Sequence, residues 1–193
     1  MTKKLTNYAF VDSQNLHLGV FSLGWKIDYR KLRLYLKNKF QVEKAFLFIG
    51  LVPNNQQLYT ELQSAGFILV FKPTVRYFEN GKETVKGNVD AELVLHAAAI
   101  SYSSYDKAVL VSGDGDFACL VEYLVKNKKF LSLLTPSLKY SKLLQPFSKY
   151  IVRIDKMRNS LEYKKDQHQR SVKTLGLSGH GDGKIIASKP KKI

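Results

Sequence analysis

Residues 107–117 read KAVLVSGDGDF, a short apolar run that ends abruptly in two aspartates separated by one glycine. Residues 108–111 have the length and composition of a parallel strand buried on both faces, so Asp114 and Asp116 emerge at its carboxyl end. Open α/β sheets place their ligands at that edge. Outward from this stretch, residues 8–11 form a second such run, which stops at Asp12 in VDSQN, with Gln14 and Asn15 following. Two strand ends that deliver acids to one sheet edge predict a carboxylate cluster, which repels itself unless a divalent cation sits among the oxygens.

Strand and helix signals alternate along the rest of the chain, the pattern of a doubly wound sheet. Asp28 can cap a helix that carries Tyr29, Leu32, Leu36 and Phe40 on one face and Arg30, Lys31, Arg33 and Lys37 largely elsewhere, which makes it amphipathic and basic. Residues 42–49 and, behind the break at Gly66, 67–71 are expected strands, with a helix over 55–65 between them. Residues 89–103 read as one buried helix, followed by the strand into Asp114, a helix over 116–126 and a strand over 130–134. A weaker helix over 141–148 carries Pro146, and 151–154 is a last short strand. Residues 75–85, centred on Asn80-Gly81, read as a β-hairpin, because Asn-Gly supplies the positive torsions of a tight turn. The expected architecture is a three-layer α/β sandwich with a mainly parallel sheet.

At 193 residues and 45% hydrophobic, the chain has material for one full core, with no call for a second domain. A formal charge of +15 favours a polyanionic partner such as nucleic acid or an acidic membrane surface. No stretch has the length of a signal peptide's apolar region or of a membrane span. A single cysteine excludes an intramolecular disulfide and a cysteine-rich zinc site, which fits a reducing compartment, and a cytoplasmic location is expected. Cys119, in the apolar run FACLV, is expected to be buried, and His17, His96, His168 and His180 show no metal-ligand spacing.

Three segments, VDSQN at Asp12, KGNVDAELVL at Asp90 and VLVSGDGDF at Asp114 and Asp116, resemble the signature blocks of the NYN domain, a branch of the PIN-like nuclease superfamily, in order and in separation. Residues 138–154 resemble the family's closing helix and strand, so the likeness covers roughly residues 5–160. The resemblance implies a Rossmann-like PIN fold whose acidic pocket binds Mg2+ or Mn2+ and hydrolyses RNA phosphodiesters. Asp12, Asp90, Asp114 and Asp116 match its acidic positions; Asn15 matches the Asn that accompanies the first Asp, and Ser112 the small hydroxyl residue before the acidic pair. Family members often carry a further acid where this chain has His96, so a fifth ligand is missing. The domain is expected over residues 1–160, with RNA as partner, no membrane, and a homodimer left open.

The residues support the same chemistry on their own terms. Hard divalent cations prefer oxygen ligands, and a bound cation can activate water and offset charge on a phosphate. Each acid taken alone also fits a cap or a turn; their joint placement favours a metal site. Lys86, Arg76 and the basic helix are expected on the RNA backbone, with Asn15 and Ser112 orienting a carboxylate, water or phosphate. Two alternatives remain: a catalytically weak RNA-binding or regulatory protein, for which His96 is the hint, and a phosphatase. Asp114-Gly115-Asp116, with Thr135 and Lys142 downstream, resembles the acid pair of haloacid dehalogenase-type phosphatases, but that pair ends the first strand of its fold, and Asp12 and Asp90 would have no role.

Residues 161–193 form a basic segment, and from Lys164 onward eight Lys/Arg face two Asp/Glu with no apolar period, a composition expected to be disordered. Removing residues 164–193 is expected to leave thermal unfolding nearly unchanged while weakening RNA binding and flattening its salt dependence, because each neutralised phosphate releases counterions. Binding titrations of full-length and truncated protein at several salt concentrations test this; an equal slope would mean that the segment does not touch RNA.

Overall fold

The computed structural model describes residues 5–73, 75–79, 82–86 and 89–164, without the side chains of Pro73, 75–79 and 82–86. Six parallel strands form one sheet in the order β3-β2-β1-β6-β7-β8. They are β1 (Asn7–Asp12), β2 (Val42–Leu51), β3 (Phe67–Pro73), β6 (Lys107–Val111), β7 (Phe130–Thr135) and β8 (Ile151–Arg153). Strand alternation splits the apolar residues between two layers: Ala9 and Val11 of β1 enter one core, Tyr8 and Phe10 the other. The first layer is closed by α1 (Ser13–Phe21), α2 (Tyr29–Phe40), α3 (Gln56–Ser64) and α6 (Arg158–Leu161), through Leu16, Leu32, Leu62 and Leu161 among others. The second is closed by α4 (Asp90–Leu95) and α5 (Ala118–Lys126), through Leu93, Leu120 and Leu124. The architecture is therefore an α/β sandwich of three layers.

Local chemistry explains most boundaries. The Asp28 carboxylate accepts the amides of Arg30 and Lys31 at 3.0 and 3.1 Å and so starts α2. Gly66, with φ of +94°, ends α3 in the left-handed region that favours glycine and turns the chain into β3. β4 (Val75–Glu79) and β5 (Lys82–Lys86) pair antiparallel as the expected hairpin; the turn residues Asn80 and Gly81 lie outside the described residues.

Several elements differ from the sequence reading, and α6 is one that it did not contain. α1 was not expected, and it starts directly at Asp12. The single helix expected over 89–103 is broken into α4, a π segment (His96–Ile100) closed by the Ser101 amide on the His96 carbonyl at 2.9 Å, and a 3-10 turn (Tyr102–Ser104). The helix after Asp114 opens with a 3-10 turn (Gly115–Phe117), so the α-helix begins only at Ala118. The segment with Pro146 is a kinked 3-10 run (Lys142–Tyr150), because proline lacks the amide an α-helix needs. Packing continues to Leu161, 1% exposed, and to an antiparallel bridge between Ile27 and Glu162. Residues 165–193, including His168 and His180, lie outside the described residues, and no helix among those described is long and apolar enough to cross a membrane.

Candidate functional site

The acids sit where strands and helices end. Asp12 is the last residue of β1 and the N-cap of α1, and it is 4% exposed. Its Oδ1 accepts the Asn15 amide at 3.0 Å and its Oδ2 the Ser112 hydroxyl at 3.2 Å. Ser112 follows β6 and is fully buried, and its Oγ accepts the Asp114 amide at 3.1 Å. Asp114 Oδ1 in turn accepts the Asp116 amide at 3.0 Å. The Asn15 side chain closes the ring: its Oδ1 accepts the Gly113 amide at 2.8 Å, tying the first turn of α1 to the loop after β6. Neighbouring parallel strands thus place Asp12 and Ser112 side by side, and two loops share their polar groups.

Asp90 opens α4 and is half-buried, as is Asp114, whereas Asp116 is exposed. Burial, and then the charges of Asp90 and Asp114, push the Asp12 carboxyl up to about 6, against the Asn15 amide and Ser112 hydroxyl, which favour its ionised form. Asp90 and Asp114 therefore each lie within electrostatic reach of Asp12. Among the described residues, no three His, Cys, Asp or Glu side chains already stand together as a metal-ligand group. The side chains of Arg76 and Lys86 lie outside those described; their backbones face Val85 and Val75 across the hairpin.

Other expected roles change. On the basic helix, Arg33 donates to the carbonyls of Gly66, Val42 and Glu43 at 3.0, 3.3 and 2.7 Å, and Lys31 to that of Glu162 at 2.8 Å. Those two cations hold the fold, while Arg30, Lys37 and Lys39 are exposed. Cys119 is exposed, not buried, because α5 turns Leu120, Val121 and Leu124 inward and Cys119 away. His96 lies against Phe46 and Phe48, each 5.5 Å away between ring centroids; burial lowers its proton affinity, and its Nδ1 has no hydrogen-bond partner among the described residues.

Two features of the site were not read from the sequence. Tyr29 is packed edge-on to Phe67 at 6.1 Å, and burial, then the Asp12 charge, raise its pKa. The signal was the Asp28 cap: a helix running back against a parallel strand starts at the edge where the strand ends. Gly115 is the second. A Cβ there would lie 2.2 Å from Ser141 Oγ and 2.8 Å from Ser141 Cβ, while the Ser141 amide donates to the Gly113 carbonyl at 3.0 Å. Gly115→Ala is expected to destabilise the fold by about 1–3 kcal/mol and to displace the acidic loop. Gly113→Ala, whose Cβ would stand 3.4 Å from Tyr140, is expected to cost less. Equal losses in thermal unfolding would show that Ser141 does not fix this loop.

The family model of the NYN domain matches residues 8–155. The protein LabA ("low amplitude and bright") of Synechococcus elongatus is 28% identical over 133 residues, covering 65% of this chain and 71% of that protein. The crystal structure of VPA0982, a protein of unknown function from Vibrio parahaemolyticus, superposes with a TM-score of 0.69 at 26% identity, covering 84% of this chain and 99% of that one.

Proposed function

We propose that this chain, which belongs to the NYN domain family, is a metal-dependent ribonuclease that hydrolyses RNA phosphodiester bonds. The observation that carries the reading is geometric: Asp12, a buried carboxyl at the end of its strand, is joined through Ser112 to Asp114 at the carboxyl edge of the sheet, and burial and the charges of Asp90 and Asp114 raise its proton affinity. Carboxylates that burden one another in this way are relieved by a cation, and an all-oxygen donor set suits Mg2+ or Mn2+. Asp12, Asp90, Asp114 and Asp116 are the residues that would hold it. When bound, such an ion lowers the pKa of a water and offsets charge on phosphate oxygens.

The chain's own groups orient that chemistry. Asn15 and Ser112 fix the Asp12 carboxylate through one donor on each oxygen. By also accepting the Asp114 amide, Ser112 couples the pose of one acid to the position of the next. Arg76 and Lys86, on the strands just before α4, and the exposed Arg30, Lys37 and Lys39 supply cations for the RNA backbone.

A second reading, an RNA-binding protein without turnover, is favoured by two observations. No ready ligand group exists among the described residues, and the apolar packing of His96 occupies a position where the family often has an acid. Incubating single-stranded and structured RNAs with the protein plus Mn2+, Mg2+ or a chelator separates the two. Cleavage only with metal supports the nuclease; binding without cleavage under every condition supports the second reading.

A further inference from the structure

α1 carries a feature that the acidic site leaves unused. Its first residue follows Asp12, and its last, Phe21, is 58% exposed although large and aromatic. The Phe21 ring lies nearly parallel to that of His17, one helical turn earlier, with centroids 5.8 Å apart and planes 16° from parallel. Burial and the nearby Lys26 charge both lower the proton affinity of His17, so at neutral pH it stacks as an uncharged ring. Lys26 itself is exposed. The helix is held firmly from below: Leu16 and Val20 are in the core, and Gly19 lies against Pro136, where a Cβ would come within 2.5 Å.

The platform is thus a pair of stacked rings beside a lysine, with His17 five residues and Phe21 nine residues beyond Asp12 on α1. At 1.5 Å per residue these lie about 8 Å and about 13 Å along the helix from Asp12. An aromatic face with an adjacent cation is the arrangement that holds an unpaired base and its phosphate. A paired base cannot use it, because both its faces are covered by its neighbours in the duplex.

We infer that His17 and Phe21 form a stacking subsite for an unpaired base of single-stranded RNA, next to the acidic site and with Lys26 on the backbone. The inference rests on the reading that RNA is the substrate, and it adds a preference for single strands. Lys26 supplies an electrostatic term that any sequence can use, while the rings require only a free base face, so sequence preference at this subsite is weak.

The test is the affinity of the full chain for a fluorescent single-stranded oligoadenylate and for a blunt-ended RNA duplex of two strands, measured with chelator present so that cleavage plays no part. Phe21→Ala and Phe21→Leu are each expected to weaken oligoadenylate binding about tenfold. Phe21→Trp should retain it, duplex binding should change little, and thermal unfolding should stay near the wild type because the residue is exposed. Wild-type affinity for oligoadenylate in Phe21→Ala would overturn the subsite while leaving the RNA reading intact. Wild-type affinity in Phe21→Leu alone would overturn the stacking subsite in favour of a plain apolar contact with the RNA. Failure of the wild type to bind any RNA would overturn this inference together with the reading it rests on.

Discussion

Asp114→Asn is expected to reduce Mn2+-dependent RNA cleavage by about two orders of magnitude or more, the usual scale for losing one preorganised electrostatic contact, while RNA binding is unchanged or tighter. The substitution removes charge without removing shape. Asp114 Oδ1 accepts the Asp116 amide at 3.0 Å, and an asparagine oxygen can do the same, so the turn into α5 should survive. What is lost is a negative oxygen beside Asp12, which weakens cation binding and lessens repulsion toward phosphate. Single-turnover cleavage and binding titrations on the same RNA separate the two effects. Undiminished cleavage would remove Asp114 from the site, and loss of binding in parallel with cleavage would point to a collapsed loop.

The parts of the site that were legible in the sequence are those fixed by strand ends. Apolar runs stopping at Asp12 and at Asp114 force both acids to the carboxyl edge once the strands are parallel neighbours, which they are. The helices were less legible because their signals compete. In α1, Leu16 and Val20 face the core while His17 and Phe21 do not, and Gly19 interrupts the period, so the segment resembles a loop in sequence. Asn15 stands out in the sequence beside Asp12, but the sequence does not show that its amide meets the Asp12 carboxylate while its side-chain oxygen holds the loop after β6. Cys119 was misread because a contiguous apolar run says nothing about phase: only the start of α5 at Ala118 decides which of its residues point inward. The π segment after Leu95 has no sequence signature at all. It depends on tertiary contacts, among them the Tyr105 hydroxyl on the Ala97 carbonyl at 2.5 Å and His96 against two phenylalanines of the sheet.

Asp12→Asn is expected to stabilise the metal-free protein at neutral pH and to destroy its response to metal. The folded chain raises the Asp12 carboxyl from 3.8 to about 6, so the native state holds this proton more tightly than the unfolded state does. The favourable contribution is therefore fully present below about pH 3.8 and is lost as pH rises through about 6. By pH 7.5 the ionised carboxylate destabilises the wild type by roughly 3 kcal/mol relative to its neutral form. Asparagine cannot ionise, and its oxygen can still accept the Asn15 amide that Asp12 accepts at 3.0 Å. Without metal, Asp12→Asn should therefore unfold about 5–10 °C higher than the wild type at pH 7.5, with the gap closing toward pH 4. Added Mn2+ should reverse the order at neutral pH, because a ligand that binds only the folded state raises the wild type's stability and finds no carboxylate at position 12 in the variant. Thermal unfolding of both proteins at pH 4 and 7.5, with and without Mn2+, measures all of this. A less stable variant at pH 7.5 in chelator would mean that Asp12 is held by its hydrogen bonds rather than strained by its neighbours. An equal Mn2+ shift in both proteins would place the cation elsewhere.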